Sequence, residues 1–168
     1  IRFSFIEKLN TISKEIHSNL TNNLENLDLI YKPNVSKDKF LEKLKKNLDK
    51  DIIYGNTSNG IQKDDILIFI NNKDVKNYGS QGQQRTVCLS MKLAEIKLIE
   101  EQKKEKPVLL LDDVLSELDL SRQTFLLNYI QNIQTILTCT GEEDILDRIY
   151  SKMNTSIFNV NAGKVQKN

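Results

Sequence analysis

The sequence contains little of several residue types that mark non-globular or metal-bound proteins. Its 168 residues include six Gly, two Pro, two Cys, one His and no Trp. The low Gly and Pro content excludes collagen-like and low-complexity chains. The two cysteines lack metal-type spacing, so we interpret Cys88 and Cys139 as reduced core residues, which is typical of a cytoplasmic protein.

The sequence also lacks a strong excess of either charge and any long apolar run. Lys and Arg number 24 and Asp and Glu 23, so the net charge of +1 identifies no partner by itself. No apolar stretch approaches the roughly 20 residues that span a bilayer, and we find no signal-peptide pattern. We therefore expect no membrane partner. Because the first residue is Ile rather than Met, we also expect a piece of a longer protein.

The first fifty residues have the apolar periodicity of helices. Apolar residues recur every three or four positions from Phe5 to Leu27, which predicts an amphipathic helix. Pro33 ends that pattern, and Ser36 can cap a second helix over residues 40–48. We therefore predict that residues 1–50 form a helical arm.

The chain from residue 51 onward alternates between strand and helix patterns. Residues 65–75 predict a β-hairpin whose turn is Asn71-Asn72. The apolar run at residues 108–111 predicts a parallel strand that is covered on both faces. The alternation predicts an α/β fold over residues 51–168. Its remaining predicted elements are helices near 84–103, 121–132 and 144–153 and strands at 135–139 and 157–160.

Asp112 and Asp113 stand at the carboxyl end of the predicted strand at residues 108–111. Open α/β sheets bind ligands beyond the carboxyl ends of their strands. One carboxylate there can hold Mg²⁺ beside nucleotide phosphates, and a second can polarise an attacking water, which is the Walker B arrangement. An Asp that only caps the following segment fits the same residues, so the pair alone leaves both interpretations open.

Two further segments have the pattern of phosphate-contact motifs. Ser80-Gln81-Gly82-Gln83-Gln84 precedes the long predicted helix, whose first N–H groups attract phosphate. Gly82 permits close approach of the backbone, although a helix start that is only capped has the same residues. Ser116-Glu117-Leu118-Asp119 follows the acidic pair, and Asp119 can equally cap the next helix.

In this order the three segments resemble the signature motif, the Walker B motif and the D-loop of ABC-type ATPases. The amino-acid sequence at residues 78–86, 93–96 and 109–119 is similar to that of the RecF family of DNA replication and repair proteins. The resemblance implies the C-terminal part of an ABC-type, SMC- and Rad50-like P-loop ATPase head, preceded by the arm. It also implies ATP and Mg²⁺ as cofactors and an ATP-dependent homodimer.

The resemblance implies a cytoplasmic role in DNA replication, repair and recombination. Such a protein binds single-stranded, double-stranded and gapped DNA, helps RecO and RecR to load RecA, and supports SOS induction. A DNA- or RecR-binding scaffold module with little enzymatic role is the alternative.

The resemblance also assigns roles to individual residues. Asp112 becomes the ligand of Mg²⁺, and with Asp113, which positions the hydrolytic water, it forms the catalytic pair. The signature residues, which contact ATP held by the other protomer, are Ser80, Gln81, Gly82 and Gln83. The nucleotide-contacting residues of the D-loop and the switch region are Ser116, Asp119, Thr138 and Thr140, with the Thr that faces phosphate left open.

The sequence departs from the family at two places. No G-x-x-x-x-G-K-[ST] motif occurs in the 168 residues, so the P-loop is missing. The family is a weak ATPase, and we expect this chain to be inactive by itself. Residues 60–65 are Gly-Ile-Gln-Lys-Asp-Asp, where the family usually has Gly-Pro-His-Arg-Asp-Asp, which questions any DNA or phosphate contact made there.

Overall fold

The chain forms two compact units, residues 1–98 and residues 99–168, and each is described by itself. The computed structural model describes residues 1–140, residue 149 and residues 155–167. The helix predicted near residues 144–153 lies outside the described residues, apart from residue 149. Helices and strands alternate along the described chain, which confirms the predicted α/β class.

The first unit begins with helix α1 (Arg2–Leu20), which packs against strand β1 (Leu27–Lys32). The sequence predicts a helix that continues to residue 27, but α1 ends at residue 20. Asn22 and Asn23 adopt φ values of 51° and 61°. Residues in this left-handed region cannot continue a right-handed helix. The buried apolar face of α1 consists of Ile6, Leu9, Ile12, Ile16 and Leu20.

Strand β1 was not predicted, and it belongs to a three-stranded antiparallel sheet of order β1-β2-β3. It pairs over its whole length with β2 (Asp65–Ile70). The chain then returns through β3 (Lys73–Asp74) after a turn at Asn71 and Asn72, whose φ values are 49° and 64°. Positive φ at both central residues is typical of a type I′ turn, so the predicted hairpin is confirmed.

Helix α2 (Phe40–Tyr54) confirms the second predicted helix and extends it by six residues beyond residue 48. It ends at Gly55, whose φ of 65° is the left-handed conformation favoured after a helix. No residue of α2 is buried, so this helix adds little to the apolar core. The division between an arm at residues 1–50 and a head after it remains a prediction.

The first unit continues through the short helix α3 (Val75–Tyr78) into the long helix α4 (Gln81–Lys103), whose residues 99–103 are counted with the second unit. The buried face of α4 includes Val87 and Leu89. Cys88 lies between them and is exposed, so its interpretation as a core residue is wrong.

The second unit contains the parallel strands β4 (Leu109–Asp112) and β5 (Thr135–Thr138), connected through helix α5 (Leu120–Ile130). This pairing confirms the predicted parallel strands. The prediction that both faces of β4 are covered is wrong within the described residues. Leu111 is 8% exposed, but Leu110 is 70% exposed because its face of the two-stranded sheet has little packed against it.

The second unit also contains a hairpin of β6 (Phe158–Asn161) and β7 (Lys164–Lys167). The strand predicted at residues 157–160 corresponds to β6. Its partner β7 was not predicted, although Ala162 and Gly163 form the intervening turn with φ values of 47° and 75°. Within the ranges that the structure covers, no helix has the length and apolar character to cross a membrane.

Candidate functional site

The carboxyl end of β4 places Asp112 beside Thr138, its register partner at the end of β5. The hydroxyl of Thr138 donates a hydrogen bond of 2.5 Å to Oδ1 of Asp112. Both residues are exposed. The carboxylate of Asp112 is therefore accessible to a ligand while a neighbouring strand fixes its orientation.

Asp113 has an unusual backbone conformation, with a φ of 51°. Its N–H donates to the carbonyl oxygen of Thr138 at 3.2 Å and to Oγ1 of Thr138 at 3.0 Å. Asp tolerates the left-handed region better than most residues, and such conformations occur often at functional sites. The hydroxyl of Thr138 thus accepts from Asp113 and donates to Asp112, so one side chain links the two acidic residues.

Ser116 and Asp119 lie between β4 and α5. The hydroxyl of Ser116 donates to the carbonyl oxygen of Asp113 at 2.7 Å. Asp119 caps α5, since its Oδ1 accepts from the backbone N–H of Arg122 at 3.0 Å and its Oδ2 pairs with the Arg122 guanidinium at 2.5 Å. The predicted site residues that form one connected group in this unit are Asp112, Asp113, Ser116 and Thr138.

Cys139 and Thr140 follow β5. Thr140 is exposed, and Cys139 is half-buried. Burial, and secondarily the negative charge of Asp113, raises the pKa of the Cys139 thiol. Because the thiolate is the nucleophilic form of cysteine, a raised pKa disfavours a nucleophilic role for Cys139.

The predicted signature residues form the start of α4, in the first unit. The N–H of Ser80 donates to Oε1 of Gln83 at 3.0 Å, and the N–H of Gln83 donates to the hydroxyl of Ser80 at 3.2 Å. This reciprocal pair is a capping box. The N–H groups of Gln81 and Gly82 belong to the first turn, where a helix offers no intrahelical acceptor, and such groups attract anions.

Gly82 is exposed in this first turn, and a Cβ added to it meets nothing within 4 Å. Neither packing within the chain nor a positive φ therefore requires glycine at this position. Glycine lowers helix stability by about 1 kcal/mol relative to alanine in helix interiors. A glycine here leaves space for a group from outside the chain to approach the backbone.

Two residues outside the predicted motifs, Glu25 and His17, are connected to the signature residue Gln83. Oε1 of Glu25 accepts a hydrogen bond of 2.8 Å from Nε2 of Gln83, and Oε2 of Glu25 lies 3.0 Å from Nε2 of His17. His17 is fully buried. Glu25 stands in a connecting segment 58 residues before Gln83, so no local sequence pattern could have identified the contact.

Asp64, in the segment that departs from the family's usual residues, has a structural role. Its carboxylate accepts from the hydroxyl of Tyr31, from the N–H of Asn34 at 2.9 Å and from Nη1 of Arg2 at 3.1 Å. The hydrogen bond from Tyr31 is the main reason that the pKa of Asp64 is lowered. The same bond raises the pKa of Tyr31.

The residues at the end of β4 fit a magnesium ion bound together with a nucleotide. Mg²⁺ in such sites usually takes one or two carboxylates, and phosphates and waters complete its shell. In the part of the chain that the structure covers, no group of three or more His, Cys, Asp or Glu side chains could hold a metal ion. Asp112 can supply one carboxylate, so nucleotide phosphates would have to provide further ligands.

The fold that carries these residues is that of part of an ABC-type P-loop ATPase head. Solved structures share this fold. A structure of SMC ATPases has a TM-score of 0.58 and 15% identity, and the match covers 99% of this chain and 85% of that one. A structure of an Smc head bound to the C-terminal winged-helix domain of ScpA has the same TM-score and 16% identity. These two likenesses concern the fold alone.

Curated relatives identify the family. The DNA replication and repair protein RecF of Lachnospira eligens is 52% identical over 165 residues, which cover 98% of this chain and 45% of the relative. The RecF of Clostridium botulinum is 46% identical over 171 residues, which cover 99% of this chain and 47% of the relative. The chain belongs to the RecF family. No family model matches it.

Two solved structures of the recombination mediator protein RecF in the RecFOR pathway also resemble the chain. One contains ATPrS and has a TM-score of 0.76 and 33% identity, and the other contains ATP and has a TM-score of 0.76 and 32% identity. Each match covers 99% of this chain and 45% of the other. The chain thus spans less than half of its relatives' length, and it corresponds to their C-terminal part.

Proposed function

We propose that this chain is the part of an ATP-dependent DNA repair and recombination protein that supplies the signature turn, the Walker B carboxylates and the D-loop. ATP joins two such heads, and hydrolysis releases them, so the nucleotide acts as a timer. The observation that carries the proposal is the Thr138 hydroxyl, which links Asp112 and Asp113 at the carboxyl ends of two parallel strands.

In this proposal each residue near the end of β4 has a separate role. Asp112 binds Mg²⁺ beside the nucleotide phosphates, and Asp113 positions the water that attacks the γ-phosphate. Thr138 orients the carboxylate of Asp112 and holds the backbone of Asp113, because its hydroxyl donates to Oδ1 of Asp112 and accepts from the N–H of Asp113. Thr140, which is exposed beyond β5, is then the switch residue that contacts phosphate. The D-loop residues Ser116 and Asp119 face the other head.

The start of α4 contacts the γ-phosphate of ATP held by a second copy of the protein. The hydroxyl of Ser80 accepts in the capping box, and its O–H hydrogen can be donated to phosphate. The N–H groups of Gln81 and Gly82 add backbone donors, and the open space at Gly82 admits the phosphate. Gln83 contributes through the capping box that holds Ser80 in place.

The same proposal extends to location and partners. The protein acts in the cytoplasm, binds single-stranded, double-stranded and gapped DNA, helps RecO and RecR to load RecA, and supports SOS induction. Residues 1–50 act as an arm beside the ATPase head formed after residue 50. Membership of the RecF family and the similarity to structures from the RecFOR pathway support these assignments.

Binding of a fluorescent ATP analogue with Mg²⁺ tests the proposal. The full-length protein is expected to bind it, and the Asp112→Asn variant is expected to lose Mg²⁺-dependent binding. The isolated chain should not bind, since it lacks a P-loop. Tight binding by the isolated chain would contradict the site assignment. A DNA affinity that is the same with and without nucleotide at fixed salt would favour a scaffold module instead.

A further inference from the structure

Glu25 connects the cap of α4 to a buried histidine. One carboxylate oxygen accepts from the side-chain amide of Gln83 at 2.8 Å, and the other lies 3.0 Å from Nε2 of His17. The Glu25 side chain is 17% exposed and that of His17 is 0% exposed. An ionised carboxylate only accepts hydrogen bonds, so Nε2 of His17 carries the hydrogen in this contact.

The contact with Glu25 fixes which way the Gln83 amide points. Oε1 of Gln83 accepts from the N–H of Ser80, while Nε2 of Gln83 donates to Glu25. A backbone N–H only donates and a carboxylate only accepts, so a flipped amide would lose both bonds. Glu25 therefore selects the amide orientation that completes the capping box at Ser80.

His17 anchors this arrangement to a later turn of the same helix. Nδ1 of His17 lies 3.0 Å from the hydroxyl of Ser90, and that hydroxyl lies 2.8 Å from the carbonyl oxygen of Thr86. The hydroxyl of Thr86 in turn donates to the carbonyl oxygen of Gly82 at 2.8 Å. Ser90 and Thr86 are buried. The network of Gln83, Glu25, His17, Ser90, Thr86 and Gly82 therefore begins and ends in the first turn of α4, at Gln83 and Gly82.

The segment that carries Glu25 is itself held by the hairpin turn. The N–H of Asn26 donates to Oδ1 of Asn71 at 2.9 Å, and the N–H of Asn71 donates to the carbonyl oxygen of Asn26 at 2.9 Å. These bonds hold the backbone next to Glu25, so its own side chain is what remains to be ordered when the carboxylate contacts Gln83.

We propose that Glu25 and His17 are positioning residues for the signature turn: through Gln83 they hold Ser80 in the geometry that contacts ATP of a second copy. This inference rests on the function proposed above. Without Glu25 the Gln83 amide can rotate, the capping box opens part of the time, and Ser80 is no longer held for the contact.

Three substitutions of Glu25 test the inference through the dissociation constant of the ATP-bound dimer, measured on the full-length protein by sedimentation. Glu25→Ala should weaken dimerisation about tenfold, since it removes a hydrogen bond to a charged group. Glu25→Gln should stay within about threefold, because its oxygen can accept from Gln83 and its amide can donate to the other His17 tautomer. Glu25→Asp keeps the charge but is one methylene shorter, so it should weaken dimerisation about as much as Glu25→Ala.

A double-mutant cycle separates positioning from general stability. In a Gln83→Ala background, Glu25→Ala should add less than about twofold, because the partner through which Glu25 acts is gone. Asn10→Ala is the matched control. It removes a 2.8 Å hydrogen bond from the N–H of Leu29 to α1 in the same unit, and this bond is not one of those that link Glu25, His17 and Gln83, so the ATP-bound dimer should form normally.

The outcomes are distinguishable. If Glu25→Asp dimerises normally while Glu25→Gln does not, dimerisation depends on the charge of Glu25 rather than on its hydrogen-bond geometry, and the inference is overturned. This comparison can be made even if Glu25→Ala fails to fold. Additive effects in the cycle, or equal weakening by Asn10→Ala, also overturn it. Ser80→Arg in the same assay tests the proposed function, and normal dimerisation of that variant contradicts the function. If Ser80→Arg loses dimerisation but the Glu25 variants keep it, only the positioning role is contradicted.

Discussion

The hydroxyl of Thr138 bonds to both acidic residues at the end of β4, donating to Oδ1 of Asp112 and accepting from the N–H of Asp113. Parallel pairing of Asp112 with Thr138 makes this possible, because it brings the carboxyl ends of two strands to the same edge. The arrangement orients a carboxylate that remains exposed, which is what a metal ligand in a nucleotide site requires.

Removal of the Thr138 hydroxyl should raise the Mg²⁺ concentration that ATP hydrolysis requires. Thr138→Val keeps the shape and the strand preference of the side chain but loses the bond to Asp112. We expect the Mg²⁺ concentration for half-maximal ATP hydrolysis by the full-length protein to rise about tenfold, as for other partners of metal ligands. Thr138→Ser retains the hydroxyl and should stay near the wild-type value. Equal Mg²⁺ dependence of Thr138→Val and the wild type would show that Thr138 does not orient Asp112.

Asp113→Asn should slow ATP hydrolysis without lowering the stability of the fold. Asn tolerates the φ of 51° about as well as Asp, so the melting temperature should change little. Loss of the carboxylate should slow hydrolysis about 100-fold while ATP binding persists. Asp113→Ala should also lower stability, by about 1 kcal/mol or more, because Ala is strained at that φ. Single-turnover hydrolysis and thermal melts measure both effects, and rapid hydrolysis by Asp113→Asn would exclude the proposed role.

Substitutions at two neighbouring glycines should have opposite consequences. A Cβ at Gly82 meets nothing within 4 Å, so Gly82→Ala should leave stability unchanged or raise it by up to about 1 kcal/mol. It should nevertheless weaken ATP-dependent dimerisation, since the methyl group occupies the space that the proposed phosphate contact needs. A Cβ at Gly79 lies 2.6 Å from the carbonyl oxygen of Val75, so Gly79→Ala should lower stability by about 1–3 kcal/mol. Melting curves and sedimentation distinguish the two, and normal dimerisation of Gly82→Ala would count against a phosphate contact there.

Asp119 offers a test of capping at α5. Asp119→Ala removes the side chain that accepts from the N–H of Arg122 and should cost about 1 kcal/mol of stability. Asp119→Asn keeps the cap and loses only the ion pair with Arg122, in which Asp119 is 53% exposed. Such surface pairs contribute little, so urea denaturation should show a loss below about 0.5 kcal/mol. Equal losses for Asp119→Asn and Asp119→Ala would mean that the ion pair, not the cap, stabilises α5.

The contact between Tyr31 and Asp64 should make stability depend on pH at both extremes. The lowered pKa of Asp64 means that its contribution is present above about pH 4 and is lost as the pH falls through the folded-state pKa. The raised pKa of Tyr31 means that its contribution is present below about pH 10 and is lost as the pH rises through the folded-state pKa. Urea midpoints across pH should show both losses, and both should diminish in Asp64→Asn. Unchanged pH dependence in that variant would contradict the assignment.

The sequence predicted the elements whose signals are local. The hairpin at Asn71 and Asn72 and the strand before Asp112 follow from turn chemistry and from a short apolar run. Strand β1 was missed because Leu24 and Leu27 continue the helical spacing of α1. The overlooked signal was Asn22-Asn23, which takes the same left-handed conformations as the Asn pair of the hairpin.

The candidate site was predictable only where its residues form a contiguous motif. Asp112 and Asp113 could be proposed from their position after an apolar run, but the bond from Thr138 depends on strand register. Glu25 lies in a connecting segment, and its contacts with Gln83 and His17 arise from tertiary folding. The spacing of residues along the sequence does not predict such contacts.

Complementation between two inactive variants tests the central claim most directly, which is that the signature turn of one copy serves ATP bound by another. In the proposed site, full-length Ser80→Arg has an altered signature residue and an unaltered Asp113, and full-length Asp113→Asn has the reverse. Each variant alone should hydrolyse ATP slowly. A mixture should recover part of the wild-type rate, because a mixed dimer contains one site with an intact signature and an intact Asp113. A mixture as inactive as its two components would contradict the account.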